Sequence, residues 1–113
     1  MKIGMKEGTK ETENFIVELY YCSIDKSNTV KAESAQFTID IILFFFTLLS
    51  IYTNENHFAI VSSLYFSNEN IKEIGVRNMA NKLFMEERTL YTHRKKYCKI
   101  ISSIIEFVKK YTK

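Results

Sequence analysis

The chain has 113 residues, 46% hydrophobic and 14% aromatic, with a formal net charge of +3; that is enough to close one core and too little for two. Proline is absent and glycine occurs only three times, which favours an all-α bundle of long helices with short polar links over a sheet of many hairpins. The two histidines, His57 and His93, and the two cysteines, Cys22 and Cys98, stand in no short metal-ligand spacing, and there is no glycine-rich phosphate loop; no catalytic residue, metal or cofactor is expected, and free thiols suit a reducing cytoplasm.

Met1 to Lys10 carries two of the glycines and several charges and reads as a flexible N-terminal arm. Residues 11–66 form a helical packing and oligomerisation portion of a single compact domain. Within it, Phe15, Ile16, Leu19, Tyr20 and Ile24 fall at helical spacing, which predicts a helix over Thr12 to Ile24, although Tyr20, Tyr21 and Cys22 also suit a strand, and Asp25 to Glu33 supplies a polar loop. Phe37 to Tyr52 is the most apolar stretch. Asp40 and Asn54 bracket a run shorter than the about 20 residues a bilayer requires, so it is expected to be a nearly all-buried central helix with no membrane partner. Such a face can also join a dimer. Asn54 or Asn56 then caps a helix from His57 to Phe66 that turns Phe58, Ile60, Val61, Leu64 and Tyr65 inward. Ile71 and Ile74 are placed for an extra turn before Gly75.

The segment from Val76 to Ile101 carries the chemistry. Met79, Ala80, Leu83, Met85 and Leu90 fall where two crossed helices touch, and small Ala80 permits axes about 8 to 10 Å apart. The turn is expected at Leu83 to Glu86. A competing pattern, Val76, Leu83, Leu90, Tyr97, Ile104 and Tyr111 at intervals of seven, suggests one continuous coiled-coil helix. Its second seam would have to bury Glu86 and His93, or Glu87 and Arg94, at a cost of several kcal/mol each, so the turn is preferred. From Tyr97 on, Ile100, Ile101, Ile104, Ile105, Phe107 and Val108 give a long C-terminal helix a wide apolar face.

Asn78 to Lys96, and above all Glu87-Arg88-Thr89-Leu90-Tyr91 followed by Arg94-Lys95-Lys96, resembles the helix-turn-helix of sigma-factor region 4 and of the small sigma-like regulators of phages of low-GC Gram-positive bacteria. Phe84 stands where that family has a turn glycine, and His93 where it has an apolar or aromatic residue. The resemblance implies duplex DNA binding in transcription, with residues 67–113 as the helix-turn-helix and C-terminal helix. Arg77, Glu87, Arg88, Thr89, Tyr91, Thr92, Arg94, Lys95 and Lys96 become the DNA-binding candidates. Arg88 can make two hydrogen bonds to guanine, Thr89 and Thr92 reach phosphate or a thymine methyl, and Glu87 suits the positive end of a helix dipole or a cytosine amino group. A homodimer would present two such helices to two half-sites, and RNA polymerase is a further candidate partner.

Charge follows the same division. Residues 77–113 carry ten basic and three acidic side chains, a net of +7, while residues 1–76 carry six and ten, a net of −4, which together make the +3. A basic half supplies sequence-independent affinity for phosphates, and an acidic half keeps the remainder off the duplex. Taken with the resemblance, which implies it, the expectation is a sequence-specific DNA-binding transcriptional regulator of phage or mobile-element type. Its rival is a helical dimer that serves as a protein–protein interaction module.

Overall fold

The computed structural model describes residues 7–111, so Met1 to Lys6 of the expected arm lie outside the described residues. Five helices follow one another: α1 (Glu7–Ser23), α2 (Thr29–Thr53), α3 (His57–Tyr65), α4 (Ile71–Lys82) and α5 (Glu87–Tyr111), with no strand among the described residues. Asparagines punctuate them. The side chains of Asn28, Asn56 and Asn70 accept from Lys31 N, Ala59 N and Lys72 N at 3.1, 3.2 and 3.0 Å, each satisfying an amide at a helix start. Asn54 closes α2 in the left-handed region at φ 57°, a conformation asparagine tolerates better than most residues.

α1 packs along α2, α3 touches α1, α2 and α4, and α5 closes the bundle against α1, α2 and α4. Tyr97 on α5 is its hub. Fully buried, its ring meets Phe46 of α2 edge-on at 5.1 Å and His57 of α3 at 5.6 Å, and its hydroxyl lies 2.6 Å from His57 Nδ1. Edge-to-face pairs of this kind add about 0.5–1.5 kcal/mol beyond burial of area. The Glu55 carboxylate is 3.1 Å from His57 Nε2 but out of line for a hydrogen bond.

α1 differs from expectation in extent and face. It begins at Glu7, inside the expected arm, and buries Glu13, Ile16 and Val17, while Phe15 and Ile24 face solvent. The stripe is rotated because Glu13 is drawn inward by a partner on α5. α2 starts at Thr29, well inside the expected loop, once Asn28 has capped it. Its expected near-complete burial does not occur. Only Ala35, Ile39, Ile42 and Phe46 are buried, and Phe37, Phe44, Phe45, Leu48, Ile51 and Tyr52 are exposed, because the other helices lie along one side of α2. At 25 residues it is also longer than the bracketed apolar run, and by length and composition alone it could cross a bilayer, a test that the core helix of a soluble protein passes as well.

Candidate functional site

α4 is two pieces. Ile71 to Ile74 form a first turn capped by Asn70, whose amide also donates to Tyr21 Oη at 3.1 Å, while Tyr21 donates to Glu73 at 2.5 Å. Gly75 then leaves the helical region at φ 82°, ψ 172°, a conformation open to glycine and costly for a residue with a Cβ. The helix restarts at Val76 and ends at Lys82.

The link to α5 is a tight reversal of hydrogen bonding. Phe84 adopts φ 56°, Phe84 N donates to Asn81 O at 3.2 Å, and Met85 N donates to Ala80 O at 3.0 Å. This pair of bonds around a left-handed residue is the Schellman stop. A side chain normally disfavours that geometry by about 1–2 kcal/mol; here the ring is 96% exposed and meets no neighbour to offset it. Met79, Ala80 and Leu90 are buried on either side of the turn, and Leu83 and Met85 pack partly against the same core. Glu86 O accepts from Leu90 N at 3.0 Å and opens α5.

α5 divides into two faces. Leu90, Arg94, Tyr97, Cys98, Ile101, Ile104, Ile105 and Val108 are buried at intervals of three and four, the stripe an α-helix turns to a core. On the opposite side Arg88, Thr92, Lys95 and Lys99 repeat at the same intervals and are exposed, with Thr89 and Lys96 exposed beside them. Thr92 Oγ1 donates back to Arg88 O at 3.2 Å, and Lys95 Nζ sits 5.3 Å above the half-buried ring of Tyr91. Arg77 is exposed on α4 and Glu87 in the first turn of α5. Of the expected set, Arg88, Thr89, Thr92, Lys95 and Lys96 are thus exposed on the outer part of α5, with Glu87 in its first turn, Tyr91 half-buried and Arg77 carried by the helix before it. Lys99, absent from the expectation, extends the stripe by a turn; its spacing of four from Lys95 was the available signal.

Arg94 is the exception and corrects the expectation of a phosphate contact. It is only 8% exposed, and its Nε and Nη2 donate to the two carboxylate oxygens of Glu13 at 2.9 and 2.6 Å. Tyr65 donates to the same carboxylate at 2.6 Å and lies 3.7 Å from Cys98 Sγ. Burial works against the guanidinium charge, but the Glu13 bonds outweigh it and hold Arg94 above its ordinary range. Burial first, and the Glu13 charge second, hold the Tyr65 phenol well above its usual range. Burial pushes the Cys98 thiol up to about 11, against a smaller opposing effect of the Tyr65 bond, which disfavours the thiolate, the nucleophilic form. Position 94 falls on the apolar stripe between Leu90 and Cys98, and that placement was the sign that its charge is turned inward.

No family model matches the chain, and neither does a curated protein or a solved structure. His93 stacks on Tyr97 at 5.4 Å and 25° and lies 5.9 Å from the His57 ring. Its half-buried ring lies on the flank between the two faces of α5, where burial, with the nearby His57, lowers its pKa. Among the described residues no group of three or more His, Cys, Asp or Glu side chains is placed to hold a metal ion.

Proposed function

We propose that this chain is a sequence-specific DNA-binding regulator of transcription that uses Val76 to Lys99 as a helix-turn-helix. The observation that carries the reading is the exposed stripe of Arg88, Thr92, Lys95 and Lys99 on the side of α5 opposite the core, at the start of a helix set off from α4 by a four-residue turn. In such a motif the second helix enters the major groove by its N-terminal turns. Arg88 reads guanine through two hydrogen bonds, Thr89 and Thr92 meet a thymine methyl or phosphate, and Arg77, Lys95, Lys96 and Lys99 neutralise backbone phosphates. Glu87 sits in the first turn, where the helix dipole favours an acid. Arg94 holds α5 at a fixed rotation by its bond to Glu13, so that the stripe faces outward.

Fluorescence anisotropy on duplexes selected from a random pool, repeated across a salt series, tests this. Four neutralised phosphates give a slope of log affinity on log salt of about −4. Lys96→Ala is expected to reduce that slope by about 1, and Arg88→Ala to relax base preference by about 1–3 kcal/mol. Affinity that is indifferent to salt would refute it. The second reading, an interaction module without nucleic acid, is favoured by one feature only, the exposed apolar side of α2.

A further inference from the structure

α2 carries two heptad seams on opposite sides. The inner one, Ala35, Ile39, Ile42, Phe46 and Leu49, steps by four and three residues and is covered by the bundle. The outer one steps the same way through Val30, Ser34, Phe37, Ile41, Phe44, Leu48 and Ile51, and within it only Ile41 packs against the core. Alternating intervals of four and three are what a coiled-coil partner needs.

The open seam broadens into a patch. Phe45 and Tyr52 flank it, and beside it α5 contributes Phe107 and Tyr111, whose rings are 4.7 Å apart. Ile41 and Phe45 of α2 face Ile100, Ile104 and Phe107 of α5 across an apolar groove of about 480 Å³. Phe37, Phe44, Phe45, Leu48, Ile51, Tyr52, Phe107 and Tyr111 are between 44% and 90% exposed, and at roughly 200 Å² per large side chain they leave on the order of 1,000 Å² of apolar surface uncovered. The largest patch on an ordinary monomer is about 300–600 Å². A stable dimer needs about 800 Å² from each partner.

We propose that this face is where a second copy of the chain docks, α2 against α2 about a two-fold axis, with aromatic side chains of one protomer entering the groove between α2 and α5 of the other. A two-fold contact uses the same surface on both partners, and a seam of this period finds its complement in its own copy. The charge around it turns the face away from a lipid headgroup layer. Between Lys31 and Lys72 there is no Lys or Arg, while Glu33, Asp40, Glu55 and Glu69 are acidic, so the α2 side of the patch is one that an anionic leaflet repels, and basic Lys109 and Lys110 flank only its α5 edge. Nor is α2 free to be ringed by lipid, since its inner seam is packed on helices that carry the buried Glu13 and Arg94.

Sedimentation equilibrium of the full chain is the test, with circular dichroism to check that each variant keeps its helices. The wild type is expected to be a dimer at micromolar concentration, and Leu48→Glu to raise the dissociation constant by roughly a hundredfold or more. Phe44→Ser, which adds no charge, is expected to weaken the dimer in the same direction and keeps the test open should the glutamate variant misfold. Phe84→Gly removes a more exposed aromatic away from the seam and is expected to leave the dimer unchanged. A wild type that stays monomeric at about 100 µM, a dimer indifferent to both seam variants, or a monomer that sediments with phosphatidylcholine vesicles would each overturn the proposal.

Discussion

Replacing Arg94 by methionine leaves the Glu13 carboxylate, 4% exposed, facing a thioether where it had two charge-assisted hydrogen bonds. Removing one member of a buried pair costs about 3–5 kcal/mol, because the remaining charge has neither water nor counterion and keeps only the Tyr65 hydroxyl. A chain of this length is stable by something on the order of 6–17 kcal/mol, so the loss is a large fraction of the total. With a urea m-value of about 2 kcal/mol/M, the denaturation midpoint should fall by about 1.5–2.5 M. Urea titration followed by circular dichroism measures it, and the exposed neighbour changed by Lys95→Ala should move the midpoint by less than about 0.3 M. The double variant Glu13→Leu/Arg94→Met removes the stranded charge, and its midpoint should return at least half-way to that of the wild type. If Arg94→Met behaves like Lys95→Ala, or the two changes simply add, Arg94 is not anchored as described and belongs with the surface lysines.

Phe84→Gly relieves a side chain in the left-handed region that packs on nothing. Set against the greater unfolded-state freedom of glycine, it should stabilise by about 0.5–1 kcal/mol, or roughly 3 °C in Tm by calorimetry; a loss would mean the turn is built otherwise. The pKa of His93 lies below 6.5, chiefly through burial and then through the neighbouring His57 and Lys96, with Glu55 acting the other way. The unfolded chain therefore takes up a proton before the folded one does. Stability is full above pH 6.5 and falls as the pH drops through that value towards the lower folded pKa, by less than about 1.4 kcal/mol per pH unit for this half-exposed ring. His93→Phe should flatten that part of a urea-midpoint profile, and an unchanged slope would assign it to another group.

What the sequence made legible was local. The Asn56 cap, the turn over Leu83 to Glu86 and the burial of Met79, Ala80 and Leu90 all follow from residues within a few positions of one another, whose spacing dictates a face or a stop. The exposed basic stripe was legible for the same reason. Two features were not. α2 is apolar almost all round, so its period names two faces without saying which one the bundle covers. Glu13 and Arg94 look like ordinary surface charges taken singly; their meeting depends on how α1 and α5 are brought together. Arg94 clusters in sequence with Arg88, Lys95 and Lys96, which suggests a phosphate contact, although its place in the Leu90 to Val108 stripe points inward.

The same bond has a consequence for synthesis. Its two partners are 81 residues apart, so during synthesis α1 can meet α2 and α3 well before the guanidinium that pairs with its acid is made. The pair itself closes late, since early contacts cannot reward so long a loop. A chain broken off at the α4–α5 turn would still pack α1 on α2 and α3, but with the Glu13 carboxylate lacking the guanidinium that holds it in the full bundle.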